Sequence, residues 1–408
     1  MKRTLSLSWG PATPSGVLAL AGLALVASTY GLVRLAYGLF LPDVQADLAL
    51  GDRAAGYVSS GASLAYCVGA LAGLVADRRP RTVLTAAVLT GGVGATGMAL
   101  APGAGTFAVA AVLASSSAGL ASPALVAIVD RQVAADRRER AQAVVNSGTG
   151  PGLVAAGLLA VVLLPDWRAG FAAGAAATLL CGGLVLLLAR GGSSGPAGPR
   201  PAGYDAGHAA TYRVPALLVP ALGALGLGAA SAAAWTYGRA HLAAQGLGET
   251  ATTVAWIGIG VGGTATVLTA RHLAARSPRA GWAVTVAAVA CALVLLGAAG
   301  GAPVPAGLAC ALFGWGFVAA TSALIAWAGE LRPQAPAGLV AGFFVLLVLG
   351  QALGSALAGE VTGRSGSGAA FLLAGAVAAL SCAASLPGRA GTEPSATRSD
   401  SARTPAPW

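Results

Sequence analysis

The chain has 408 residues, of which 56% are hydrophobic and only 9% charged, with a mean hydropathy of +0.76. A soluble globular domain carries about a quarter of its residues as charges, so this composition excludes one. The net charge of +10 raises nucleic acid as a partner, but the arginines fall in short loops between apolar runs. That pattern reads better as membrane topology than as a phosphate-binding groove.

Apolar runs of roughly 18 or more residues recur along the whole length, each long enough to cross a hydrocarbon layer of about 30 Å. Alternation at period two, the mark of an outer-membrane barrel, is absent. The pattern predicts an all-α membrane protein of twelve transmembrane helices, at about 16–41, 54–76, 82–101, 105–129, 141–164, 169–189, 214–238, 251–270, 280–300, 303–328, 336–361 and 367–387. The start of the chain is basic and polar, and the apolar run from Val17 is too long for a signal sequence, so it reads as a retained first span. A Gly-, Pro- and Ser-rich stretch separates the sixth and seventh spans. The expected domains are therefore a six-helix bundle over 1–190, a cytoplasmic linker over 191–213, a second bundle over 214–388 and a disordered tail over 389–408.

In chain order, the first span carries Tyr30, Arg34 and Tyr37 at i, i+4 and i+7, one stripe of an α-helix. Arg34 is the one arginine placed well inside a span. It reads either as an arginine snorkelling outward between tyrosines or as a cavity cation for an anionic or hydrogen-bonding solute.

The second span ends in Gly73-Leu74-Val75-Ala76-Asp77-Arg78-Arg79-Pro80-Arg81. A carboxylate at a helix C-terminus sits at the wrong pole of the backbone dipole, so Asp77 calls for a partner outside its own helix. The arginines that follow fix this turn on the cytoplasmic side.

The fourth span holds Ser115, Gly119 and Ser122, small residues that suit close helix packing. The fifth holds a polar stripe of Gln142, Asn146 and Thr149. The seventh has Trp235 and Arg239 four apart, flanked by Tyr237 and His241, and reads equally as an interfacial anchor or as part of a cavity. Trp256, Trp315 and Gln351 are single aromatic or polar positions at depth. No predicted span has an Asp or Glu near its middle, which disfavours proton coupling through a central carboxylate. The five cysteines lie in apolar segments as small core residues, and the three histidines are scattered, so neither metal nor cofactor is expected.

The charges set the orientation. Arg53, Arg168, Arg239 and Arg364 fall on one side, Arg34 lies in a span, and the other 19 of the 24 Lys and Arg fall on the opposite side with both termini. Both termini are thus expected in the cytoplasm. The two halves also repeat. Leu50-Gly51-Asp52 returns as Leu247-Gly248-Glu249, and Ala76-Asp77-Arg78-Arg79-Pro80-Arg81 lines up with Ala274-Ala275-Arg276-Ser277-Pro278-Arg279. Two parallel six-span repeats are the plan of a transporter whose site lies between the halves.

The stretch from Gly73 through Asp77 and Arg78 to Arg81 resembles the signature that follows the second helix in the major facilitator superfamily, with Pro80 in place of the loop glycine and Thr82 in place of the last basic residue. Trp167-Arg168, Arg138-Glu139-Arg140-Ala141 and Gly350-Gln351-Ala352-Leu353-Gly354 resemble further stretches of that family. Gly150-Pro151 is similar to the kernel of its helix-5 antiporter motif, with Asn146, Val154 and Ala155 where that motif has glycines. The resemblance implies a bacterial twelve-helix permease working by alternating access, and an inner gate of Asp77, Arg78, Arg81, Asp130 and Arg140.

The expected function is secondary transport of a small organic solute, with an anion as one candidate, across a bacterial inner membrane. The expected partners are the lipid bilayer and the solute, with a coupling proton in the exporter alternative, no nucleic acid and a monomeric chain. A proton-coupled exporter of toxic compounds and a non-transporting sensor or scaffold are the alternatives. An enzyme is not expected, since no His-Glu-x-x-His, Gly-x-Ser-x-Gly or nucleotide-binding motif is present.

Overall fold

The computed structural model describes residues 13–189, 214–298, 301–333 and 336–383. The expected linker over 191–213 and the tail over 389–408 lie outside the described residues.

Twelve helical spans follow one another: α1 (Pro14–Leu48), α2 (Asp52–Leu71, with a last turn Gly73–Ala76), α3 (Pro80–Ala99), α4 (Ala104–Gln132), α5 (Ala135–Leu163), α6 (Trp167–Leu188), α7 (Val214–Ala244), α8 (Glu249–Ala274), α9 (Pro278–Ala298), α10 (Pro303–Leu331), α11 (Pro336–Ser365) and α12 (Ser367–Ala383). Ten of them are long and apolar enough on their own to cross a membrane, and α2 and α12 complete the set. Several run past their predicted ends. The longest extension is in α1, which continues through Pro42 and Asp43 to Leu48.

The internal repeat is visible in the backbone. α1 ends at Ala49, which takes the left-handed conformation (φ 51°), and Leu50 N–H reaches back to the Gln45 carbonyl at 3.3 Å. α7 ends the same way at Gly246 (φ 88°), with Leu247 N–H on the Leu242 carbonyl at 3.2 Å. Glycine meets no Cβ penalty in this region, whereas Ala49 carries one. Gly51 and Gly248 then cap α2 and α8 in the same extended conformation. Pro80 and Pro278 each open the next helix, where a missing N–H costs nothing.

Packing repeats as well. α3 lies against α4 and α6, and α2 against α4; α9 lies against α10 and α12, and α8 against α10. The halves meet along three seams, α2 with α11, α5 with α8, and the second half of α1 with α7. At the α1–α7 crossing the backbones touch so closely that a Cβ on Gly38 would overlap the Trp235 carbonyl oxygen.

One stretch departs from the α-helix. Ala27–Leu35, in the middle of α1, is wound as a π-helix, a wide turn that is rare and concentrates at functional sites. Ser28 and Thr29 return their hydroxyls to the Leu25 carbonyl at 2.9 and 2.8 Å, competing with the main-chain ladder where the wide turn begins. The predicted i, i+4, i+7 stripe is therefore cut, with Tyr30 and Arg34 on the π segment and Tyr37 on the α-helix beyond it. The fifth span is also broken, at Ser147–Gly148, where α1 presses close and a Cβ on Gly148 would meet the Leu23 carbonyl.

Candidate functional site

A cavity lies where the two halves meet, walled by α1 (Arg34, Tyr37), α2 (Ser59, Ser63), α4 (Ser115), α7 (Trp235, Thr236) and α11 (Gln351, Ser355), among others. Its volume is about 40 Å³; a water needs about 10–15 Å³ measured this way. In this conformation it has room for a few waters but not for an organic solute.

Arg34 is its one charged wall residue among the described residues. The π segment turns the side chain across the bundle, so the guanidinium does not snorkel. Its Nη2 donates to Gln351 Oε1 at 3.1 Å and lies 3.5 Å from Ser63 Oγ, and its carbon sits 4.7 Å above the Tyr66 ring. The contacts are a neutral amide, a hydroxyl and a ring face; no carboxylate pairs with it among the described residues. Its buried Nε has no hydrogen-bond partner. Below it, Tyr30 gives or takes hydrogen bonds of 2.9 Å with Tyr66 and Ser122, which fixes the ring that Arg34 rests on.

Trp235 faces the cavity from the other half. Its ring packs edge-on against Phe313 and Phe317 at 5.4 and 5.5 Å, and its buried Nε1 is likewise without a partner. Ser59 joins the halves through Thr236 at 2.8 Å and Ser355 at 3.0 Å.

Beyond the cavity, on the side away from the α2–α3 turn, the halves are held by charge. Arg239 is buried (3% exposed), donates to the Leu39 carbonyl at 2.9 Å and to Thr252 at 3.2 Å, and pairs with Asp43, itself 13% exposed. At the rim Glu360 takes a hydrogen bond from Tyr57 at 2.8 Å and pairs with Arg364 at 2.9 Å and Arg53 at 3.5 Å. Tyr237 donates to the Asp52 carbonyl and Tyr37 to the Ala55 carbonyl, at 2.8 and 2.9 Å. On the other side, a Cβ on Gly338 or Gly342 of α11 would meet nothing within 4 Å. The halves are thus closed away from the α2–α3 turn.

Several sequence expectations change here. Arg239 is neither a loop charge nor a rim anchor, because α7 runs on to Ala244 and the Asp43 carboxylate draws it inward. Asp43 lies in α1, which runs past Pro42 where the predicted first span ends, close to the helix end at Leu48.

Of the residues expected to share one cavity, Arg34, Tyr37, Trp235 and Gln351 do, while Tyr30, Tyr237 and Arg239 support it from outside. Gln142 instead donates to the Val126 carbonyl at 3.1 Å, tying α5 to α4, and Asn146 is exposed. Trp315 donates to Thr269 at 2.9 Å, tying α10 to α8. Ser59, Ser63, Thr236 and Ser355 were missed, since single hydroxyls in an apolar run mark nothing by themselves. Gly119 packs as expected, its Cα against the Tyr66 carbonyl.

At the α2–α3 turn, Arg131 donates to the Asp77 main-chain carbonyl, and Arg81 to the Ala189 carbonyl beside Gln132. Asp130 pairs with Arg138 at 3.6 Å. Arg78 and Arg140 are exposed. Gly73 packs near Pro123, and Gly150 lies against Thr264 of α8 beside the exposed Pro151.

The family model described as Major Facilitator Superfamily matches residues 23–348. The chain belongs to the major facilitator superfamily. Solved structures agree in fold. The nucleoside transporter NupG is 14% identical with a TM-score of 0.72, covering 91% of this chain and 98% of its own. The xylose transporter XylE from E. coli, in an inward open conformation, is 14% identical with a TM-score of 0.72, covering 91% and 95%. A bacterial homolog of the human lysosomal transporter Spinster, inward-facing and unoccupied, is 14% identical with a TM-score of 0.70, covering 92% and 98%. No curated protein matches the sequence. Membership in this superfamily makes the chain a multi-pass membrane transporter of small molecules and not an enzyme.

Proposed function

We propose that this transporter moves a small organic anion across the bacterial cell membrane by alternating access, and that Arg34 binds the anion. The observation that carries the reading is Arg34 itself, a cation on the cavity wall with neutral contacts only. A charge at depth costs about 2.5–3.5 kcal/mol on insertion scales, and an anion bound in the cavity would offset that. The arginine-rich side is the cytoplasmic side in this reading, so the closed seam faces outward. The chain works as a monomer of two six-helix bundles, 1–190 and 214–388, joined by the linker 191–213. Asp77, Arg78, Arg81, Asp130 and Arg140 form the inner gate when the protein faces outward, with Gly73 setting the turn and Gly150-Pro151 the α5–α8 contact.

The test is counterflow in proteoliposomes with pooled metabolites sorted by charge. Exchange confined to anions, and lost in Arg34→Gln at normal protein levels, is the expected result. Exchange of neutral solutes by both wild type and Arg34→Gln would sink the reading. Orientation is tested separately by an impermeant thiol reagent on intact cells, in a background without native cysteines: Pro102→Cys labels and Asp136→Cys does not.

A second reading adds a coupling proton. Asp43 favours it, as a carboxylate within a span, paired across the moving halves. Uptake that responds to an imposed pH gradient in wild type but not in Asp43→Asn would establish it.

A further inference from the structure

Two residues wall the cavity from opposite halves of the molecule, and each carries a buried N–H donor that is not satisfied. Arg34 Nε belongs to α1 and Trp235 Nε1 to α7, and each is buried without a hydrogen-bond partner. A buried donor left unmade costs about 1–3 kcal/mol, so two of them on one cavity are a standing penalty that a ligand can remove. Their chemistry differs. Arg34 brings charge and a planar edge of donors suited to a carboxylate or similar oxyanion. Indole N–H donates only, so its partner must be a neutral or anionic acceptor and never an ammonium group. Among the described residues, no carboxylate stands on the cavity wall to receive a cation. The remaining polar walls are the hydroxyls of Ser59, Ser63, Ser115, Thr236 and Ser355 and the Gln351 amide, of which Ser59, Thr236 and Ser355 already bond to one another.

We infer, resting on the anion reading above, that the solute is a compact organic anion carrying a second, uncharged acceptor, such as a hydroxy or oxo acid. Its anionic group meets Arg34 and its hydroxyl or carbonyl oxygen accepts from Trp235. Plain alkyl acids leave Trp235 unsatisfied, and amino acids present it with an ammonium group. A site built to hydrogen-bond a substrate oxygen rejects analogues that lack it far more strongly than an apolar pocket rejects a missing methylene. One donor from each half also lets the solute draw the two bundles together over itself, giving the occluded state a contact that neither half makes alone.

The test is counterflow by the purified full-length chain in proteoliposomes, with protein-free liposomes subtracted. The probes are propionate against lactate and pyruvate, and propanesulfonate against isethionate, a near-isosteric pair that stays ionised and does not leak as free acid. Wild type should prefer the acceptor-bearing anion in each set by at least about tenfold, the factor that one such contact supplies. Trp235→Phe keeps the ring against Phe313 and Phe317 and should reduce the preference to under about twofold, by slowing the acceptor-bearing anions alone. Absence of the preference in wild type overturns the inference without reference to any variant, and its persistence in Trp235→Phe does so too. In either case the anion reading stands as long as Arg34→Gln abolishes exchange. If none of the five anions exchanges, the inference falls. If glucose or uridine exchanges while they do not, the anion reading falls with it.

Discussion

Each half of the transporter places an arginine in its first helix at the seam, and the two are treated in opposite ways. Arg239, on α7, is enclosed with Asp43, the Leu39 carbonyl and Thr252, a full set of acceptors including a counter-charge. Arg34, on α1, has an amide, a serine and a tyrosine face. Counted along the repeat, Arg239 lies about eight residues, or ~12 Å, further toward the closed side. The difference separates two jobs that look alike in sequence. An arginine whose donors are met by the protein holds the halves together, and one whose charge is left unmet is available to a ligand.

The largest effect should come from breaking the enclosed pair. Arg239→Ala leaves Asp43 without its counter-charge and should lower unfolding stability by about 3–5 kcal/mol, read as melting temperature in detergent. Asp43→Leu combined with Arg239→Met should recover most of that loss, because an apolar replacement of a whole pair is often neutral. If Arg239→Ala melts like wild type, the pair is not the lock described here.

Arg34 should behave in the contrary sense. Arg34→Lys and Arg34→Gln are expected to insert and melt normally, yet to cut transport at least about tenfold, or ~1.4 kcal/mol. Lysine keeps the charge but loses the planar fork of donors. Wild-type flux in a well-inserted Arg34→Lys would show that charge alone suffices, and wild-type flux in Arg34→Gln would reduce Arg34 to a structural residue.

The smallest effect is expected at the rim. Glu360 is a quarter exposed and shares its charge between the more exposed Arg53 and Arg364, and such pairs near the surface contribute little. Glu360→Gln should leave the melting temperature unchanged and raise only the rate at which a cysteine in Ser59→Cys is labelled from the closed side. A melting loss as large as that of Arg239→Ala would erase the distinction between rim and core.

Much of the fold was legible because it depends on local quantities. Hydropathy averaged over some twenty residues located all twelve helices, and the recurrence of Leu50-Gly51-Asp52 as Leu247-Gly248-Glu249 located a repeat whose caps match in the structure. The site was legible only in part. Arg34 stood out because a charge in an apolar run is expensive, and Gln351 because its stretch resembled a known one. Asp43 and the serines around Ser59 did not, since nothing local distinguishes a serine facing a cavity from one returning its hydroxyl to its own helix, as Ser28 does.

By itself, then, the sequence determined the membrane class, the count of helices, the repeat and the uneven distribution of arginines, all of which follow from the transfer of short segments between water and lipid. Only the tertiary structure decided which polar groups meet. Arg34 and Gln351 are 317 positions apart, and Arg239 and Asp43 are 196 apart. Those distances are closed by helices crossing at glycines such as Gly38 and by the wide turn at Ala27–Leu35. Whether a buried charge ends as a lock or as a binding group depends on which acceptors the packing of two bundles brings to it, a property of the seam between them that neither helix carries alone.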